Sequence, residues 1–164
     1  AYPERILRKK AKSIENINGN LQSLIDDMLE TMYMAPGAGL AAPQIGVASR
    51  LIVGDPRLNN DYEQQFVLIN PEIIDQKGEE IYEEGCLSLP GISSEVPRAY
   101  KVTVIGFDRH GKEITLEAEG YLARILQHEV DHIEGLLFWD RLSQAKRESL
   151  KRRLRKISVM EEDS

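Results

Sequence analysis

Cysteine is almost absent from this chain. The single Cys86 among 164 residues excludes an intramolecular disulfide and points to a reducing compartment. Histidine is nearly as scarce, with three residues, so two of them placed four apart, His128 and His132, call for an explanation. No stretch approaches the roughly eighteen continuous apolar residues of a membrane-spanning helix, and the opening "AYPERILRKK" lacks the apolar core of a secretory signal. These absences direct the reading towards a soluble, cytoplasmic protein without a membrane partner. The start at Ala1 leaves room for a removed segment and hence for an organellar location after transit-peptide removal.

Positive charge is also short overall, at a net −6, which argues against DNA as a partner. It is concentrated at one end: from Arg141 to Lys156 eight basic residues face one acidic residue, a local +7 that leaves −13 for the rest. Leu142, Ala145, Leu150, Leu154 and Ile157 recur at helical spacing there. The pattern predicts a basic amphipathic helix over 141–158, either docked by its apolar stripe or in contact with a polyanion.

Earlier in the chain, Leu21, Leu24, Ile25, Met28, Leu29 and Met32 predict an amphipathic helix whose far side carries Asp26, Asp27 and Glu30. It is broken by "APGAGLAAPQIG", where Pro36, Gly37 and Gly39 stop a helix and allow close backbone approach. The runs "RLIVGD", "FVLINPEII", "KVTVIGFD" and "KEITLEAE" predict strands, the last two joined through "RHG" as a hairpin in which His110 is a surface residue. "YLARILQHEVDHIEG" returns to helical spacing and ends at Gly135. Helix, strands, helix in that order predicts an α+β fold of one domain, 1–164, with antiparallel sheets packed around a central helix, an N-terminal helix and a C-terminal helix.

The chemistry gathers on the second helix. His128 and His132 project from one helical face, and Glu129 follows the first, giving HExxH. Two neutral imidazoles hold a divalent metal, and an adjacent carboxylate accepts a proton from water. A catalytic site of this kind needs a third protein ligand. No histidine lies downstream, and Glu134 and Asp140 do not match the spacing of the common HExxH peptidases. Upstream, Cys86 in "EEGCLSLP" reads as a core residue, as a nucleophile or as a thiolate ligand. Since both histidines suitable as its base are already arranged for a metal, the ligand reading is favoured. Gln127 and Asp131 are candidates to orient the imidazoles.

Three motifs stand in one order, "GAGLAAPQ" at 37–44, "EGCLS" at 84–88 and "QHEVDH" at 127–132, with "LINPEI" at 68–73 between them. Together they resemble the peptide deformylases, of the bacterial and organellar type with a helical C-terminal tail. The resemblance implies a metal-dependent hydrolase that removes the formyl group from the N-terminal formylmethionine of nascent polypeptides and releases formate. It implies Cys86, His128 and His132 as metal ligands, Glu129 as acid and base, and Gln44 with the Leu87 N–H as oxyanion donors. Gly39 and Gly85 would be backbone rails that pair with the formyl-methionyl peptide. One divalent ion per chain is implied, Fe2+ in the cell, with Zn2+, Ni2+ or Co2+ also compatible with the ligand set. Glu84 and Arg98 resemble an ion pair holding the cysteine loop, and Tyr121 and Arg124 stand where the family often lines its methionine pocket with aliphatic residues. The ribosome is the partner implied for the basic C-terminal helix. Two alternatives rest on fewer residues: an HExxH zinc peptidase cutting internal bonds, and a non-catalytic metal-stabilised ribosome-binding module with no use for Glu129 or Gln44.

Overall fold

The computed structural model describes residues 9–35, 37–57, 64–86, 89–136 and Arg152, with the side chains of 85, 86 and 89–94 outside that description. The described elements run α1 (Gly19–Met34), β1 (Gly39–Ala41), a 3-10 turn (Ala42–Ile45), β2 (Leu51–Gly54), β3 (Phe66–Lys77), β4 (Glu80–Cys86), β5 (Leu89–Arg98), β6 (Lys101–Phe107), β7 (Glu113–Glu119) and α2 (Gly120–Ile133). One sheet has five strands in the order β1-β2-β3-β6-β7, and a second consists of the hairpin β4-β5. Every pairing between them is antiparallel. The α+β class expected from the sequence is therefore present. The predicted helix over 141–158 lies outside the described residues, Arg152 excepted.

The five-stranded sheet carries a helix on each face, and the alternation of strand side chains explains how. From β2, Ile52 joins Leu68, Val102 and Val104 against Ala123, Leu126, Val130 and Ile133 of α2. Its neighbours Leu51 and Val53 turn to the other face, with Leu40 and Ile69, against Leu21, Ile25, Met28, Leu29 and Met32 of α1. The central run "LIVG" is apolar throughout because both of its faces are covered. HExxH thus sits on a helix held by the sheet along its length.

Helix boundaries follow local chemistry. Asn18 caps α1, its side chain accepting from the Leu21 N–H at 3.0 Å. At the other end of the domain, Gly135 takes φ +77, and the Leu136 N–H reaches the Asp131 carbonyl at 2.8 Å, closing α2 where the sequence predicted a stop. The "RHG" connection forms the expected hairpin turn: Asp108 Oδ1 accepts from the N–H groups of His110 and Lys112, and His110 is exposed. The hairpin β4-β5 and the short β1 were not among the four strands expected. "EIYEEGC" and "LPGISSEVPR" carry four glutamates, two prolines and two glycines with no apolar alternation, so their pairing is set by each other rather than by a core.

Candidate metal centre

Both histidines of the motif face one point. His128 Nε2 and His132 Nε2 lie 3.2 Å apart, with the rings near perpendicular at 73°. His128, Glu129 and His132 each bring a ligand-type atom within 4.8 Å of one another. Two imidazoles binding one tetrahedral ion at the usual bond length hold their nitrogens roughly 3.3–3.4 Å apart, so the observed spacing fits a shared metal.

The tautomer of His128 is fixed from the neighbouring hairpin. Its Nδ1 stands 2.7 Å from Glu84 Oε1, and an ionised carboxylate only accepts, so Nδ1 carries the proton and Nε2 presents its lone pair. Burial pushes the Glu84 carboxyl up, but hydrogen bonds from Arg98 and His128, with the charge of Arg98, outweigh it and hold the group at about 2. His132 is buried, and desolvation first, the nearby His128 second, drive its basicity well down, keeping it neutral. A cation or a shared proton then satisfies the two facing nitrogens. Carboxylate, histidine and an electron pair aimed at one point form the arrangement that metal centres use to orient a ligand.

The support extends further into the hairpin. Arg98 grips Glu84 with Nε at 2.9 Å and Nη2 at 2.8 Å, and its Nη1 reaches Asp131 Oδ2 at 2.5 Å. All three side chains are buried. This cluster joins β4, β5 and α2 through ionic bonds and sets where Glu84 meets His128. The orienting role expected of Gln127 does not hold: its Oε1 accepts from the Ala99 N–H at 2.8 Å, and its Nε2 donates to the carbonyls of Ala99 and Ala123. Asp131 is buried against Arg98 rather than solvated. Arg124 lies over the rings of Tyr82 and Tyr121 and donates to the Glu83 carbonyl at 2.5 Å.

Glu129 is 2% exposed, and its Oε1 has no hydrogen-bond partner among the described residues. Burial pushes its carboxyl up to about 7, the range in which a group can both take and return a proton; a cation beside it would draw that value down. Gly39 abuts it. A Cβ built on Gly39 would stand 2.8 Å from Glu129 Oε2 and 2.9 Å from Ile125 Cγ2, so only glycine lets β1 run this close to the helix. Two residues beyond β1's start, the Ala41 N–H donates to Gln44 Oε1 at 2.8 Å, which assigns the NH2 to the other arm of that amide.

Of the residues singled out from sequence, His128, Glu129, His132 and Gly39 are thus brought together, and Gln44 is anchored on the adjoining turn. Gly85 and Cys86 end β4, with a register shift between them, and their side chains lie outside the described residues, as does Leu87 entirely. Glu84, two positions before Cys86, brings the end of that strand to His128. The downstream acid Glu134 is bonded elsewhere, to Arg50 at 2.7 Å and Lys10 at 3.3 Å, and Asp140 lies outside the described residues.

Residues 1–148 match the family described as Polypeptide deformylase. A peptide deformylase of Thermodesulfovibrio yellowstonii is 54% identical over 154 residues, which is 94% of this chain and 93% of that protein. Among solved structures, a peptide deformylase from Legionella pneumophila superposes with a TM-score of 0.89 at 49% identity, covering 99% of this chain and 95% of the other. That of Thermus thermophilus gives 0.87 at 44% identity, with 97% and 93% covered.

Proposed function

The chain belongs to the polypeptide deformylase family, and from that membership we propose how its own residues carry the reaction. The protein is a metal-dependent hydrolase that removes the N-formyl group from the N-terminal formylmethionine of nascent polypeptides. One observation carries the assignment of roles: two imidazole nitrogens 3.2 Å apart beside a buried Glu129, with the Gly39 backbone pressed against that carboxylate. His128 and His132 hold the ion, and Cys86 is the third ligand, supported by Glu84 on the same strand reaching His128. A divalent ion bound there supplies a Lewis acid for water and for developing negative charge. Glu129 takes a proton from the attacking water and returns it to the departing amine, so formate and a free N-terminal methionine leave. The Gln44 amide and the Leu87 N–H receive charge on the formyl oxygen. Gly39 and Gly85 present backbone with which the peptide pairs as an added strand, a mode that reads main chain and accepts many sequences.

Thiolate with two imidazoles suits Fe2+, Zn2+, Ni2+ or Co2+, and we assign Fe2+ as the ion of the living cell. Residues 1–164 act as one catalytic domain in the cytoplasm, with the basic segment 141–158 as a contact to the ribosome; no helix of the described residues is long and apolar enough to cross a membrane. The test is product identity. Formyl-Met-Ala-Ser incubated with oxygen-free protein should yield formate and Met-Ala-Ser. Cleavage of an internal bond with a new peptide amine, and no formate, would instead make the protein an HExxH peptidase.

A further inference from the structure

Arg57 is one of two non-glycine residues with a left-handed backbone, at φ +51, among the described residues. Such a conformation costs free energy for a residue with a Cβ and persists where surrounding contacts hold it. Those contacts are specific. The Arg57 N–H donates to Asp55 Oδ1 at 2.9 Å, and the other oxygen of the fully buried Asp55 accepts from the Tyr33 hydroxyl at 2.6 Å. The Arg57 guanidinium lies over the Tyr33 ring, 5.2 Å from its centre, and Nη2 donates to the Gly37 carbonyl at 2.7 Å. The Asp55 N–H takes the next carbonyl, that of Ala38, at 2.8 Å.

The end of α1, the end of β2 and a strained turn therefore converge on the carbonyls of Gly37 and Ala38. Gly39 follows directly, paired with Gly54 on β2 and packed against Glu129. We infer that Arg57, seated by Asp55 and Tyr33, is a positioning residue that fixes the Gly37 carbonyl and thereby the Gly39 backbone on which the peptide pairs. The inference rests on the deformylase reading of the site for its kinetic consequence. It assigns to Arg57 no contact with the reacting atoms.

Arg57→Gly separates this role from ordinary stabilisation, because glycine keeps the left-handed backbone without strain while removing the guanidinium. Expected are a KM for formyl-Met-Ala-Ser raised about tenfold, a kcat within about twofold of wild type, an unchanged metal content and a thermal midpoint that does not fall. Amide hydrogen exchange at residues 38–41 should quicken, and Arg57→Lys, which restores a cation and a donor, should recover part of the KM. Unchanged KM and unchanged exchange would overturn the inference. So would a joint loss of stability, kcat and KM, the mark of a general clamp. If wild-type protein releases no formate, the deformylase reading fails, and exchange at 38–41 still decides whether Arg57 positions this segment.

Discussion

A methyl group at position 39 would stand 2.8 Å from Glu129 Oε2, 2.9 Å from Ile125 Cγ2 and 3.0 Å from Glu129 Cγ, so these side chains must shift to admit it. Gly39→Ala should displace the carboxylate and lower kcat roughly tenfold to a hundredfold with metal retained, as expected for a misplaced catalytic group; steady-state formate release with metal analysis checks it, and a wild-type rate would separate Gly39 from the site. Gln44→Leu should cost about 2.7–4 kcal/mol in the transition state, the range for one oxyanion donor, read as kcat on the same substrate. A near-normal kcat would remove Gln44 from the mechanism. Cys86→Ser should lower metal content after dialysis, whereas unchanged content would place the third ligand elsewhere. The two histidines and Glu129 were legible in the sequence because four-residue spacing on a helix is local geometry. The role of Glu84 beyond its ion pair was not: it is 44 residues from His128, and the part assigned to Gln127 belongs to it. Sequence offers no signal for which acid reaches a given imidazole across two elements.

Arg98 joins three elements, so its loss should be felt in all of them. Arg98→Met leaves Glu84 and Asp131 buried without their cation, and a buried pair broken on one side typically loses about 3–5 kcal/mol; urea unfolding measures it, with a parallel loss of metal affinity as His128 loses its orientation. The same cluster fixes a pH dependence. Glu84 has a folded value of about 2, below its ordinary 4.5, so its contribution is fully present above about 4.5 and is lost as pH falls towards 2. Chelator-treated wild type should therefore lose stability over that window more steeply than Glu84→Gln, and equal slopes would contradict the ionised buried carboxylate. The strands that build the large sheet were readable because a core imposes alternation on them, as "KVTVIGF" with its alternate buried residues illustrates. β4 and β5 were not, since Glu80, Glu83, Pro90 and Pro97 lie in a hairpin whose register comes from mutual hydrogen bonding and from one buried ion cluster.

The chain as a whole separates its charges, with +7 between Arg141 and Lys156 and −13 elsewhere. A polyanion approached by that end would meet attraction there and repulsion from the remainder, which orients the molecule on it. Deletion of residues 144–164 should reduce cosedimentation with ribosomes at low salt, leaving formate release from a short peptide unaltered; undiminished pelleting would assign the segment to packing alone. Fold class and enzyme family were both accessible from order and motif, because three short motifs constrain a long chain more than composition does. The central claim is that Glu129 moves the proton at a metal held by its neighbours. It is tested most directly by formate release from wild type and Glu129→Gln at matched metal content. The variant should keep the metal and lose at least about a hundredfold in kcat. Turnover by Glu129→Gln at the wild-type rate, with full metal occupancy, would contradict the account.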